Sequence, residues 1–372
     1  MSSLALDYIT VRGFKSIASV ERLLLRPVNL LIGSNGSGKS NFIGVFSFLH
    51  AIREGRLRDY VTRAGGAEKI LHFGSKTTKE LSVRLSFKDE VNQYELKLSP
   101  TEDDGLYPTS ETISFWDKSR FPKPYDDYLS PRENGREAGI SDPKLEKIAS
   151  WVRARMGGWR LYHLHDTSSS SPMRKTAKVS DNSFLRSDGS NLAAFLYYLQ
   201  QKEEVSYSLI RRTIQRVAPF FEDFRLEPLR LQPDDIKLEW RHKNSDQYFD
   251  ASSLSDGTLR FIALTTLFLQ GGAHLPSVIL VDEPELGLHP YAITMLASLI
   301  RQASKETQVI VSTQSSLLLD HFDPEDVLVA NRVGSATSIK RLEAAQLSDW
   351  RDDYSLGQLW EKNEFSGRPV PE

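Results

Sequence analysis

Residues 33–40 read GSNGSGKS, and no other stretch constrains this chain as tightly. The segment satisfies G-x-x-x-x-G-K-[ST] at every fixed position. An apolar run, Val28 to Ile32, leads into it. SNFIGVFSFLHAIREG follows, with Phe42, Ile43, Phe46 and Leu49 at helical spacing. Strand, glycine-rich turn and helix in that order form a phosphate cradle. Gly33, Gly36 and Gly38 allow backbone conformations closed to other residues, so successive N–H groups can point inward at phosphate oxygens. The helix dipole adds positive potential at the same place. Gly33, Ser34, Asn35, Gly36, Ser37, Gly38, Lys39, Ser40 and Asn41 are the candidate binding segment. Lys39 is placed to reach the β- and γ-phosphates, and the Ser40 hydroxyl to ligate Mg²⁺. A glycine-rich turn with a chance Lys-Ser is the bland alternative, and the flanking strand and helix weigh against it.

A second motif is SVILVDEPELGLHP, beginning at Ser277. Four apolar residues, Val278 to Val281, end in Asp282 and Glu283. A buried strand that delivers a carboxylate at its C-terminal edge suits Mg²⁺. Asp282 is the candidate metal ligand, and Glu283 the candidate acceptor of a proton from an attacking water. Alone, the pair is equally a solvated acidic turn. Beside an intact phosphate loop the functional reading gains. Most of the chain lies between Lys39 and Asp282, so a large insertion is expected to separate two halves of one nucleotide core.

Composition narrows the classes. Hydrophobic residues make up 40% and charged residues 26%, which fits a packed globular chain rather than a disordered one. Lys and Arg total 47 against 49 Asp and Glu, a net charge of −2, so no global charge draws the chain onto nucleic acid or an anionic membrane. With no cysteine, thiol nucleophiles, disulfides and cysteine-bound metals are excluded. The N-terminal residues have no signal-peptide pattern and no apolar run approaches a bilayer's thickness, so a cytoplasmic protein with no membrane partner is expected.

The expected organisation has four parts. Residues 1–99 hold the phosphate loop and an antiparallel lobe. Period-two alternation of Leu81, Val83, Leu85 and Phe87 predicts a half-exposed antiparallel sheet there. Residues 100–224 form an insertion. Its first part, 100–145, carries single prolines among Asp, Glu and Gly and reads as loops. Helices are predicted at 143–156 and 189–220, with a flexible serine-rich loop at 166–175 between them. Residues 225–335 return to the core, with strands at 225–231 and 236–240. Helix and strand then alternate: helix 257–270, strand 277–281, helix 290–303, strand 308–312, helix 314–320 and strand 326–330. That order predicts a parallel sheet with crossover helices. Residues 336–372 form a tail, with 349–365 a polar-aromatic candidate for partner or dimer contacts.

A third segment, SSLSDGTLRFIAL at 252–264, places Ser255 as a helix N-cap with Gly257 just inside the helix. Alone, it is more simply an ordinary capped helix. The order of the three motifs is what carries weight. It resembles the ATP-binding-cassette class of ATPases and, through VRGFKS at 11–16, GSNGSGKSN and DEPELGLHP, the SMC/RecF/OLD branch. In size and layout the chain is similar to stand-alone RecF-like ATPases of AAA type, which lack long coiled coils. The resemblance covers roughly 1–90 and 225–335 and says nothing specific about 100–220.

The resemblance implies an α/β P-loop NTPase with an ABC-ATPase-like head: a mixed parallel core sheet, an N-terminal antiparallel lobe and a helical insertion. It implies ATP and Mg²⁺ as cofactors, and a homodimer formed on ATP binding. Ser255 and Gly257 of one copy would then meet the γ-phosphate held by the other, with His289 at the D-loop position also acting in trans. The switch position after VIVST, usually His, is Gln314 here. A neutral amide can orient water but cannot shuttle a proton, which implies slow hydrolysis. No Q-loop glutamine is evident; His165 and Asp166 are the positional candidates, and an ordinary strand exit accounts for them as well. No Toprim nuclease module is expected.

The family suggests DNA repair or phage defence. Three arginine groups (Arg56, Arg58 and Arg63; Arg153 and Arg155; Arg211, Arg212 and Arg216) are candidate DNA contacts, although each is more simply a solvated helix face. The alternative is a slow nucleotide-gated switch that holds or releases an operon-encoded protein partner. A transporter ATPase is a weaker reading, opposed by the FKS element and the DEPELGLHP loop.

Overall fold

The computed structural model describes residues 6–272, 274–347 and 353–364. The chain forms two compact units, Met1–Trp159 with Asp323–Glu372, and Arg160–Phe322. These limits differ from the four expected segments.

The first unit is built on a six-stranded antiparallel sheet. Its strands run in the order Ile17–Leu24, Leu6–Phe14, Leu81–Phe87, Asn92–Pro100, Leu106–Phe115 and Tyr125–Tyr128. The expected half-exposure is corrected: Leu81–Phe87 is buried on both faces except at Arg84. Ser86 tolerates burial because its hydroxyl donates to Asp7 Oδ2 at 3.0 Å. Helix Lys147–Gly157, close to the expected 143–156, sets Trp151 edge-on to Phe87 of this sheet.

The loop reading of 100–145 is also corrected, since Leu106–Phe115 is a ten-residue strand. Its alternation was hidden by an inward carboxylate. Glu111 is buried, and accepts from the N–H groups of Gly139 at 2.6 Å and Ile140 at 2.9 Å and from Tyr94 Oη at 2.9 Å. Burial raises its pKa above the usual carboxylate range, against those hydrogen bonds.

A second layer of the first unit carries the phosphate loop. Strand Val28–Ile32 is wholly buried and pairs in parallel with Val327–Val333. That strand turns back antiparallel into Ala336–Arg341. Residues 336–341, expected in the tail, are therefore a sheet strand. Of the polar-aromatic segment 349–365, residues 349–352 and 365 lie outside the described residues; helix Leu356–Lys362 buries Leu356 and Leu359.

In the second unit, Val278–Asp282 and Gln308–Ser312 pair in parallel, with Asp282 opposite Ser312. Helix Pro290–Ala303 connects them, as the alternation predicts. Helix Asp256–Leu269 is buried from Leu259 onward. The expected helix 189–220 is two helices, Leu192–Lys202 and Glu204–Val217, broken at Glu203. The two expected strands at 225–231 and 236–240 are instead short strands of two three-stranded sheets. The helix at 314–320 shortens to Ser316–Leu319, capped by Ser315.

The serine-rich loop 166–175 is held rather than free. Arg174, largely enclosed, donates to the carbonyls of Thr167 at 3.0 Å and Leu254 at 3.1 Å, to that of Ala251, and to Asp256 Oδ1 at 2.9 Å. Asp256 begins the Ser255-capped helix, so one guanidinium fork ties loop and helix start together.

Candidate active site

In the first unit, the segment Gly33–Asn41 turns from a fully buried strand into helix Lys39–Arg53. Its glycines serve different ends. Gly33, at φ +152°, sits so close to the last hairpin that a Cβ would lie 2.3 Å from the Ala330 carbonyl oxygen. Gly38, at φ +102°, would place a Cβ 2.0 Å from Thr337 Oγ1 and 2.9 Å from Ser16 Oγ. Gly36, at φ +80°, has nothing within 4 Å. The loop is thus packed at both shoulders and open at its crown, the shape a phosphate can enter.

Lys39 is buried at 6% exposure, and its Nζ donates to the carbonyl oxygens of Gly33 at 2.6 Å and Ser34 at 3.0 Å. The ammonium therefore lies across the turn. Ser34 is half-buried, while Asn35, Gly36 and Ser40 are exposed. Ser37 Oγ is buried with no hydrogen-bond partner. A buried orphan hydroxyl beside an open crown is a group that a bound phosphate or its hydration could satisfy.

Two contributors to this loop were not singled out in the sequence. Thr337 Oγ1 donates to the Ser37 carbonyl at 2.9 Å and lies 2.8 Å from Ser16 Oγ. Its N–H donates to the Ser16 carbonyl at 2.7 Å. Asn41 Nδ2 donates to Ser16 Oγ at 2.7 Å. Ser16 is the last residue of VRGFKS, so that element acts here as a brace for the phosphate loop. Thr337 lies some three hundred positions from the loop and stands in no motif, and only the hairpin's return brings it in.

In the second unit, the acidic strand ends at Asp282, and the chain turns sharply. Glu283 takes φ +40°, a conformation that costs a non-glycine residue about 1–2 kcal/mol. Its N–H donates to the Ser312 carbonyl at 2.8 Å, which pins the turn to the neighbouring strand. Gln314 Nε2 donates to Glu283 Oε1. The amide at the switch position thus holds the candidate base.

Glu285 is a residue the sequence reading missed. Its Oε1 accepts from Thr313 Oγ1 at 2.6 Å and from the Gln314 N–H at 3.1 Å. Its other oxygen is buried without a partner. Desolvation raises its pKa, and the nearby Glu283 charge adds to the effect. A carboxyl tied to the switch segment on one side and orphaned on the other fixes where Gln314 stands. The signal was present in DEPELGLHP, but nothing in it distinguished the inward acid from the outward ones.

Ser255 caps helix Asp256–Leu269, accepting from the Thr258 N–H at 3.2 Å, and is exposed. Gly257 has a reason within its own chain. A Cβ there would lie 2.5 Å from the Gly287 carbonyl oxygen, so the helix start packs backbone to backbone on the DEPELGLHP loop. His289 is exposed and caps helix Pro290–Ala303, its Nδ1 accepting from the Tyr291 N–H at 3.3 Å.

His163 and His165 follow strand Trp159–Tyr162. His165 Nε2 is 4.0 Å from Asp282 Oδ2, and ligand atoms of His163, His165 and Asp282 all lie within 4.8 Å of one another. Partial desolvation of the otherwise exposed His163 pushes its pKa down, opposed by the Asp282 charge. Of the two positional Q-loop candidates, His165 therefore reaches the acidic strand end. Asp166 turns to its own loop, accepting from Ser168 Oγ at 2.6 Å.

Comparison with known proteins fits this geometry. Residues 28–320 match the family described as "AAA domain, putative AbiEii toxin, Type IV TA system". Comparison with curated proteins finds no match. Among solved structures, an SMC head bound to the C-winged helix domain of ScpA aligns at 17% identity over 92% of this chain and 99% of that one, with a TM-score of 0.60. An SMC head from Pyrococcus furiosus, bound to the C-terminal domain of ScpA, aligns at 15% identity, 94% and 98% coverage and a TM-score of 0.56. One from Pyrococcus yayanosii aligns at 12% identity, 94% and 99% coverage and a TM-score of 0.53. At such identities the likeness is one of fold. No described helix is long and apolar enough to cross a membrane. With the phosphate-loop pattern intact and the family matched over most of its length, the chain belongs to this AAA-domain family of ATPases, on a fold like that of the SMC heads.

Proposed function

We propose that the protein is a Mg²⁺-dependent ATPase that closes into a homodimer around two ATP molecules and acts in genome defence or DNA repair. Gly33 to Asn41 bind the triphosphate, with Lys39 on its β- and γ-phosphates. Ser40 and Asp282 hold the metal, which supplies charge neutralisation at the phosphates. Glu283 takes the proton of the attacking water, and Gln314 orients that carboxylate. Ser255 and Gly257 of one copy, with His289, complete the site of the other.

The observation that carries the dimer is the exposed, capped start of helix Asp256–Leu269. Its backbone is braced on the DEPELGLHP loop, and Ser255 is turned to solvent, which a residue acting on a neighbour's nucleotide needs. The family's description, with its toxin and Type IV TA system, supports defence as the setting.

A second reading is a slow switch that holds or releases a protein partner. Gln314 favours it, because an amide bonded to Glu283 can place water but cannot pass on its proton. Two of the SMC heads aligned above were solved with ScpA domains, and a partner-holding role of that kind fits a slow timer. The basic clusters give DNA less support: Arg211 pairs with Asp223 at 2.7 Å and Arg155 stacks on Trp151 of its own helix.

Mass by light scattering decides the dimer. Glu283→Gln should bind ATP, stop turnover and double in mass when ATP is added. Ser255→Arg should bind ATP as a single subunit and stay at monomer mass. Hydrolysis by Ser255→Arg at the parent rate ends the shared-site reading. A several-fold rise in ATPase rate with DNA, lost steeply with salt, favours DNA over the partner switch.

A further inference from the structure

The acidic strand end carries nitrogen ligands that the proposed function does not use. His163 and His165 are spaced i, i+2 just past strand Trp159–Tyr162, and their rings lie near each other with centroids 6.4 Å apart. Leu164 between them is buried. The segment is pinned through its main chain. The His163 N–H donates to the Ser187 carbonyl at 2.8 Å. The carbonyls of Leu164 and His165 accept from Arg260 Nε at 3.0 Å and from its terminal nitrogen at 2.7 Å. Arg260 is itself buried in the helix that Ser255 caps. Both rings are therefore delivered by a backbone with little freedom, toward a carboxylate on a rigid strand.

The spacing suits a shared ion better than a hydrogen bond. His165 Nε2 and Asp282 Oδ2 are 4.0 Å apart, beyond hydrogen-bond reach. Two ligands each about 2.1 Å from one metal ion stand at most about 4.2 Å apart. All three ligand atoms lie within 4.8 Å of one another, so small side-chain rotations bring them onto one ion. Two imidazoles and one carboxylate leave further coordination positions for water or a phosphate oxygen. Nitrogen donors favour first-row transition ions, whereas Mg²⁺ prefers an all-oxygen shell.

We propose that His163, His165 and Asp282 form a binding site for a divalent transition ion of the Mn²⁺, Co²⁺ or Zn²⁺ class. This rests on the proposed function only in taking Asp282 as the metal carboxylate. The site then gives the ATPase a metal preference that an aspartate alone does not.

The test uses the full, untagged chain without nucleotide. Co²⁺ titration followed by visible absorption should give one ion per chain, displaced by Zn²⁺. Bound Mn²⁺ should carry nitrogen coupling in pulsed electron paramagnetic resonance. His163→Ala and His165→Ala should each weaken Co²⁺ binding roughly tenfold or more, and the double variant should lose the nitrogen coupling. Circular dichroism and unfolding midpoints should stay unchanged, since His163 is exposed and His165 half-buried. Co²⁺ binding unaltered by both substitutions, or bound Mn²⁺ without nitrogen coupling, overturns the proposal. If Co²⁺ binds as expected while Glu283→Gln still turns over ATP, the catalytic reading fails and the metal site stands. If Mg²⁺-ATP is hydrolysed and no Co²⁺ binds, only the metal site fails.

Discussion

The phosphate loop and the acidic turn are built on opposite principles. The loop is defined by shape. Gly33 and Gly38 are pressed by the Val327–Val333 and Ala336–Arg341 hairpin, Gly36 is left open, and neutral hydrogen bonds of Thr337 with Ser37 and Ser16 hold the frame. The acidic turn is defined by charge. Glu283 sits at a strained positive φ, Glu285 is enclosed with an orphan oxygen, and Gln314 and Thr313 stand against them as donors. A region held by packing tolerates changes of charge but not of volume. A region held by desolvated carboxylates has the reverse sensitivity.

The sharpest way to break this contrast is at Lys39, the one charge inside the shape-defined loop. Lys39→Ala should weaken ATP binding roughly a hundredfold, the loss of a charge-assisted contact worth about 3 kcal/mol. Calorimetric titration measures it. ATP affinity near the parent value would mean that the backbone alone binds the triphosphate.

Volume comes next. Gly38→Ala must fit a Cβ against Thr337 and adopt φ +102°, and should cost about 3 kcal/mol in urea unfolding. Gly36→Ala meets open space at φ +80° and should cost about 1 kcal/mol from backbone strain alone. Equal costs would refute the distinction between packed shoulders and open crown.

Gln314→Ala keeps volume nearly out of play, since the side chain is exposed, and removes the donor to Glu283. Steady-state kinetics should give a kcat lowered roughly tenfold with KM little changed, because the proposed base, Glu283, loses its orientation and the binding loop is untouched.

The smallest effect concerns protons. Glu285 has its pKa raised by burial, so the folded protein binds a proton more readily than the unfolded chain. Stability then falls as pH climbs from the ordinary carboxylate range through that raised value. Glu285→Gln should remove its share of the decline in a pH series of unfolding midpoints. The similarly raised Glu111 in the first unit should keep its own share. An unchanged slope would mean that Glu285 is solvated.

Much of this protein could be read from its residues in order. The phosphate loop announces itself because a tight turn around phosphate admits few residue types, so the pattern is local. The acidic strand and the Ser255 cap are local in the same sense, as is the helix–strand alternation of the last third. Leu106–Phe115 escaped because its inward Glu111 breaks the apolar period, and its partners, the Gly139 and Ile140 N–H groups and Tyr94, lie far along the chain. The serine-rich loop read as free because the guanidinium that holds it reaches carbonyls of residues 251 and 254. Thr337, Glu285 and the two histidines beside Asp282 gain their roles the same way. Backbone conformation follows from short-range sterics, and a sequence spells it out. Which buried polar group meets which partner depends on distances across the folded chain, and only the tertiary structure decides that.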